Sequence, residues 1–283
     1  MEVIKLSWDK LTIVGDVKNL LAFERLVNNS THVRLIKNTQ SEIKGFFLND
    51  LVYFEYTPMR AKTLKVSNMR LEFNPNHLAD YHRHVLTQDI LPLVAFKHLS
   101  RADLAFDLDT DLSRLKVNYK RNVKTKYYYS ETNQLETLYL GSSTSERQMR
   151  MYNKKLERES NDDDSLDKYK NYWRVEFQMR REAINSWQSI LDDYTFNFDF
   201  DLSDIKSLGD KLTLEALIDK RIAFSDIEKG KERERIRKLY KKLLAQDSDV
   251  KTLMQEAIKK EAPRLADELE ELLTSNEFNQ IIS

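Results

Sequence analysis

Hydrophobic and polar positions alternate in short runs through the first two-thirds of the chain, then give way to a longer, charged periodicity. Residues 4–17 (IKLSWDKLTIVGDV) are dense in β-branched and aromatic side chains and predict a strand or hairpin. Residues 45–56 (GFFLNDLVYFEY) predict a hairpin that turns at Asn49-Asp50. Residues 68–73 predict a strand closed by the breaker Asn74-Pro75-Asn76. A helix then starts near His77 and runs to about Gln88, with a second helical piece after Pro92. In residues 100–109 the alternation places Leu104, Phe106 and Leu108 on one face and Asp103, Ala105, Asp107 and Asp109 on the other. Residues 137–140, ending at Gly141, predict a strand. Residues 148–154 set Met149 and Met151 against Arg150, Tyr152 and Lys154, and past the acidic loop 161–167 comes a further strand at 172–179.

Beyond Ile184 the character changes. Residues 195–202 alternate phenylalanine with polar residues, and from about Leu212 the pattern is charged and helical. Ile236, Leu239, Leu243 and Leu244 have the spacing of an apolar helical stripe, with arginines and lysines opposite. These patterns predict an α+β domain over residues 1–200 and a helical C-terminal region over 201–283. The segments 69–73 (MRLEF) and 173–177 (WRVEF) share an apolar-Arg-apolar-Glu-Phe pattern, which puts an Arg and a Glu on one face of each strand.

The 283 residues, 41% hydrophobic, suffice for one large domain or one domain with an appendage. No run approaches the roughly 18 apolar residues of a membrane span, and MEVIKLSWDK lacks the apolar core of a secretory signal, so a soluble cytoplasmic protein is expected. Without cysteine, disulfides, thiolate zinc sites and cysteine nucleophiles are excluded. The 46 basic and 46 acidic residues cancel, but they are unevenly placed. Residues 116–126 hold five basic and no acidic side chains, residues 229–242 hold eight against two, and from Glu261 onward six acidic stand against one basic. Such segregation fits a basic face and an acidic tail; solvated helix faces are the alternative.

If the strands lie side by side, Glu72, Asp103 and Glu176 project together, with Asp107 as a further candidate. Hard carboxylate oxygens of this kind suit Mg²⁺ or Mn²⁺, which engage phosphate while keeping part of their water shell. Asp103 and Asp107 are about 13 Å apart along an extended strand, too far to share one ion, and Asp103 is preferred. The alternative is cross-strand pairing with Arg70, Arg101, Arg150 or Arg174. Tyr152, between Arg150 and Lys154, is a candidate nucleophile for a phosphodiester, because flanking cations stabilise a phenolate and the charge developing on phosphate. Thirteen tyrosines compete for that role. Tyr127, Tyr128 and Tyr129 adjoin a basic run and are better suited to packing or to stacking on bases. His82-Arg83-His84 falls in a helical pattern, where residues two apart point to different sides, so a surface helix is expected there and not a metal site.

Several of these residues also carry a resemblance. Residues 137–141 (TLYLG), then SSTSER, then Arg150-Met-Tyr152-Asn-Lys154-Lys-Leu-Glu157, are similar to the signature of the Rep_trans replication initiation factor family. Residues 100–107 (SRADLAFD) and 174–177 (RVEF) also match, with weaker echoes at Ser7-Trp8-Asp9 and at residues 72–75 (EFNP). Together they span about residues 5–185. The resemblance implies a rolling-circle initiator of a small plasmid, built on a relaxase-like, mostly antiparallel sheet flanked by helices. It implies a tyrosine nucleophile in the Arg-x-Tyr-x-Lys motif, here Tyr152, with Arg150 and Lys154 beside it. It further implies a divalent metal, Mg²⁺ or Mn²⁺, held largely by carboxylates: Asp103 and Glu176 first, Glu72 next. Origin DNA, a host helicase and a second copy of the chain are the implied partners.

The basic helical segment, about residues 227–244, is the candidate reader of the origin duplex through Arg233, Arg235, Arg237, Lys238 and Lys241; Lys120, Arg121 and Lys124 are candidate DNA contacts in the earlier basic run. A packing helix with a charged outer face is the alternative. Competing functions are a non-catalytic origin-binding or regulatory module of the same fold, a conjugative or phage-type nickase, and a plain α+β scaffold.

Overall fold

The computed structural model describes residues 2–29, 32–198, 202–219, 221–244 and 249–274. Residues 199–201 of the phenylalanine alternation, residues 275–283 of the acidic tail and the side chain of Leu244 lie outside the described residues. The elements in chain order are β1 (Val3–Val17), α1 (Leu20–Asn29), β2 (Arg34–Asn38), β3 (Ile43–Phe47), β4 (Val52–Tyr56), α2 (Pro58–Leu64), β5 (Met69–Phe73) and α3 (Asp80–Val85). They continue with β6 (Val94–Leu108), β7 (Lys116–Tyr119), β8 (Thr125–Tyr129), β9 (Leu135–Leu140), β10 (Arg147–Asn153), α4 (Lys154–Glu159), β11 (Trp173–Arg180) and β12 (Tyr194–Asn197). Three helices follow: α5 (Leu208–Ile218), α6 (Lys231–Leu244) and α7 (Asp249–Thr274).

Ten strands make one antiparallel sheet in the order β2-β3-β4-β5-β1-β6-β11-β10-β9-β8, and β7 pairs with β12 in a separate ribbon. The α+β class and the central antiparallel sheet expected from the sequence are both present. At its centre the 15-residue strands β1 and β6 run antiparallel over most of their length. The period-two pattern sends Trp8, Leu11, Leu104, Phe106, Met149, Met151, Val175 and Phe177 to one side, where all are buried. A kinked 3₁₀ stretch, Arg181–Asp193, and α7 cover that side. Trp8 anchors the contact: its indole lies edge-on to Trp187 at 5.3 Å and its Nε1 donates to the Leu265 carbonyl at 3.1 Å.

The β3–β4 hairpin turns where expected, with Leu48, Asn49 and Asp50 all at positive φ. Asn74 caps the 3₁₀ turn Pro75–His77 by accepting from the Asn76 amide, and His82 and His84 both fall on α3. The helical piece expected after Pro92 is not there. Pro92 lies inside a single 3₁₀ turn, Leu91–Leu93, and Val94 already begins β6, because the end of β1 offers it a pairing partner. Gly141 closes β9 at φ 98°, and a Cβ there would stand 2.7 Å from the Arg147 carbonyl oxygen, so the turn that sets the β9–β10 register needs glycine.

The described part of the C-terminal region is helical and divides into two packing groups. α5 and α6 close a small core of their own around Leu214, Leu217, Ile236 and Leu243. α7 instead returns to the main sheet, burying Val250, Met254, Ile258, Leu265, Leu269 and Leu272 in the large core. Its apolar positions recur every three, four or seven residues, the face the sheet requires.

Candidate active site

The opposite side of the central strands carries the polar set. Direct strand partners share a face, so the registers assemble it in rows. Thr137, Tyr152, Arg174 and Asp107 form one row across β9, β10, β11 and β6. Tyr139, Arg150, Glu176 and Ala105 form the next. Asp103 opposes Gln178 on β11 and Lys10 on β1, and so stands diagonal to Glu176. Between Trp8 and Lys10 the β1 register slips, leaving Asp9 as an extra residue beside this face.

Tyr152 is 4% exposed and lines an open depression of about 460 Å³ between β9, β10 and α4. The Arg150 guanidinium lies 3.8 Å from its ring centroid and the Lys154 Nζ 5.5 Å from it. Burial pushes the phenol above its ordinary value, while Arg174 and Arg150 pull it back down. Arg174 is fixed by a two-pronged bond to Asp107, at 2.6 and 2.9 Å, and by a third bond to Asp9 at 2.5 Å. Arg150 is less committed. Its Nε is buried without a hydrogen-bond partner, with Glu157 3.6 Å and Glu176 4.0 Å from the guanidinium. Lys154 pairs with Glu157 from the first turn of α4.

The three carboxylates expected to share a metal are held differently. Asp103, almost fully buried, is gripped by Arg101 on its own strand; burial raises its pKa and Arg101 offsets part of that. Glu176 has no cation closer than 4.0 Å, and burial, with Asp103 and Asp9 adding to it, pushes its carboxyl up to about 7. Glu72 is bound by Lys10 and Arg70. It sits on β5, three strand spacings, roughly 14 Å, from Glu176. Among the described residues no three His, Asp or Glu side chains converge at metal-binding spacing. Glu72 therefore does not join the other two, whereas Glu176 and Asp103, adjacent and enriched in negative charge by Asp9, offer hard oxygens that suit a divalent cation. Ion pairing, the alternative read from the sequence, accounts for Glu72 and Asp107 and, through Arg101, also engages Asp103, which leaves Glu176 the least paired of the four.

Residues 109–263 match the Replication initiation factor family (Rep_trans), and residues 10–94 match the N-terminal region of a replication initiation protein, RepD-like. The chain belongs to the replication initiation factor family. Two curated replication initiation proteins of Staphylococcus aureus are 31% identical over 270 residues and 32% identical over 275 residues, each alignment covering 94% of this chain and 84% of the relative. A solved rolling-circle replication initiator from Geobacillus stearothermophilus aligns with TM-score 0.45 and 14% identity over 72% of this chain and 89% of its own. The assignment rests on the sequence matches.

In this initiator the expected duplex-reading residues separate into two groups. Arg233 donates to the carbonyls of Ile227, at 2.8 Å, and Ser225, at 3.1 Å, tying down the loop before α6. Arg235 pairs with Asp210 of α5, whose carboxylate is buried. Both brace the small helical unit. Arg237, over the Phe224 ring at 5.6 Å, and Lys238 and Lys241 are exposed and make no ion pair among the described residues. In the earlier basic run Lys120 reaches Asp193 at 3.4 Å, and Arg121 and Lys124 are exposed. No helix among the described residues is long and apolar enough to cross a membrane.

Of the two residues that hold Tyr152's surroundings, sequence reasoning named Arg174 only as a possible ion-pair partner and gave Asp9 no role in the site. Asp9 reaches the site only through a bulge, which alternation cannot reveal. Arg174 was legible as a face partner of Glu176, but its bond to Asp107 depended on the β6–β11 register.

Proposed function

We propose that this protein initiates rolling-circle replication of a plasmid by nicking and rejoining one DNA strand at the origin, with Tyr152 as the nucleophile. The observation that carries the reading is the row Tyr152–Arg174–Asp107 beside Arg150: a phenol on a polar sheet face, flanked by one firmly fixed and one more loosely held guanidinium. The Tyr152 Oη attacks the scissile phosphorus and the P–O3′ bond breaks. The phenolic proton leaves, the departing 3′ oxygen takes up a proton, and the products are a 5′-phosphotyrosine and a free 3′-hydroxyl. Arg174 stabilises the phenolate, and Arg150, with spare donors, engages the phosphate oxygens. Attack by the 3′-hydroxyl on the phosphotyrosine reverses the step and reseals the strand.

Glu176 and Asp103 are the residues that would hold Mg²⁺ or Mn²⁺, which would supply charge neutralisation at the phosphate. Exposed Arg237, Lys238 and Lys241 of α6 would add contacts to the origin duplex. A second copy of the chain and a host helicase are further partners proposed from the family.

The test incubates the protein with supercoiled plasmid carrying its origin, in Mg²⁺, Mn²⁺ or EDTA, and maps any DNA–peptide adduct by mass. A metal-dependent adduct on Tyr152, lost in Tyr152→Phe while origin binding persists, is the expected result. Binding without nicking in any metal would make the protein a recognition module, and an adduct on Tyr127, Tyr128 or Tyr129 would move the nucleophile. Independently of activity, Mn²⁺ should raise the melting temperature, and Asp103→Asn should abolish that rise.

A further inference from the structure

The rows that contain Tyr152 and Arg150 extend to the edge of the sheet. Tyr128 on β8 opposes Thr137, which opposes Tyr152; Lys126 opposes Tyr139, which opposes Arg150. Tyr128 and Lys126 therefore share the face of the nucleophile, two strand spacings or roughly 10 Å away. The Tyr128 and Tyr139 rings confirm the shared face, meeting edge-to-face at 5.9 Å and 74°. Tyr139 lines the same depression as Tyr152 and Arg150. Tyr128 is 51% exposed on an edge strand, and an edge-to-face pair leaves a ring face open. Lys126 and, in the adjoining loop, Lys124 are exposed and form no ion pair among the described residues.

We propose that Tyr128 and Tyr139, with Lys126, form a platform on which unpaired bases flanking the scissile phosphate stack; this rests on the reading of Tyr152 as nucleophile. Aromatic rings interleaved with cations are what a single strand recognises, because every unpaired base offers a π-face and every linkage a charge. A duplex hides those faces in its own stack. The continuity of the platform with the depression at Tyr152 gives the strand a path from edge to nucleophile. Tyr127 and Tyr129 belong to the other side: their rings stack on each other at 6.1 Å and line a different hollow with Ile218 and Asp219. They provide an internal control with the same chemistry and similar exposure.

The full-length protein would be titrated with a fluorescein-labelled oligothymidylate of about 15 nucleotides, near the upper end of single-strand site sizes. A 5-iodouracil version would be photocrosslinked and the attachment mapped. Tyr128→Ala and Tyr139→Ala should each weaken binding about tenfold, Trp at either position should restore it, and the crosslink should fall on Tyr128 or Tyr139. Tyr129→Ala should bind normally. Unchanged affinity in the Tyr128→Ala/Tyr139→Ala double variant, an equal loss in Tyr129→Ala, or crosslinks elsewhere would overturn the platform. The adduct map keeps the two readings apart. An adduct on Tyr152 with normal binding by the double variant sinks the platform alone. Weakened binding by the double variant with no adduct on Tyr152 upholds the platform and sinks the nucleophile.

Discussion

A carboxyl group buried among other acids stays protonated at pH values where it would ionise in water, and Glu176 is such a group, with a pKa near 7. The folded protein therefore holds a proton that the unfolded chain has released between about pH 4.5 and 7, so stability falls as pH rises through that interval. From the ordinary 4.5 to about 7 the loss amounts to about 3 kcal/mol. Glu176→Gln, which mimics the protonated form, should flatten the decline, as read from melting temperatures between pH 5 and 8. A variant that declines as steeply as the parent would mean that another group carries the effect. The same proximity of Asp103 and Asp9 that disfavours the bare carboxylate favours a cation beside it, which links this residue's titration to the proposed metal.

At the scale of elements, α4 acts on the site from the side. Glu157 in its first turn engages Lys154 and approaches Arg150, two cations beside Tyr152. An incoming phosphate must compete with that carboxylate. Glu157→Gln should tighten binding of a short single-stranded oligonucleotide several-fold at low ionic strength, with the gain shrinking as salt is added; weaker binding would mean that Glu157 orders the cations more than it occupies them. On α6, replacing Arg237, Lys238 and Lys241 together by alanine should weaken duplex binding and flatten its salt dependence. Arg235→Ala should instead lower the melting temperature of the small helical unit, because it strips the buried Asp210 of its partner. The strands around the site were legible because Leu104, Phe106 and Leu108, and Met149 and Met151, alternate so regularly with the polar residues. The Arg-x-Tyr-x-Lys motif placed Tyr152 on the polar face for the same reason. What alternation could not supply was register. Without it, Glu72 stayed in the candidate ligand set behind Asp103 and Glu176, although two strands separate β5 from β11, and the bulge that brings in Asp9 left no trace in the sequence.

For the whole molecule, the destination of α7 matters most. Its outer positions are charged like those of α6 but largely acidic where α6 is basic, its inner face completes the main core, and Arg264 also donates to the Leu6 carbonyl at 2.8 Å. Truncation before Asp249 should leave Trp8 and its neighbours uncovered and yield a protein without a cooperative thermal transition. A truncated chain that still melts cooperatively would show that the sheet and the 3₁₀ stretch suffice. The strand that carries Tyr152 is hydrogen-bonded on both sides, to β9 and to β11, within a ten-stranded sheet. A backbone locked in this way cannot swing its phenol outward on a hinge, so the only travel left to Tyr152 is rotation about its own side-chain bonds. If Tyr152 is the nucleophile, as proposed, the origin must do the moving: its strand has to be bent, melted or extruded until a phosphate arrives at a fixed point. Under that proposal, the ease with which a given DNA sequence distorts becomes part of how the initiator chooses its site.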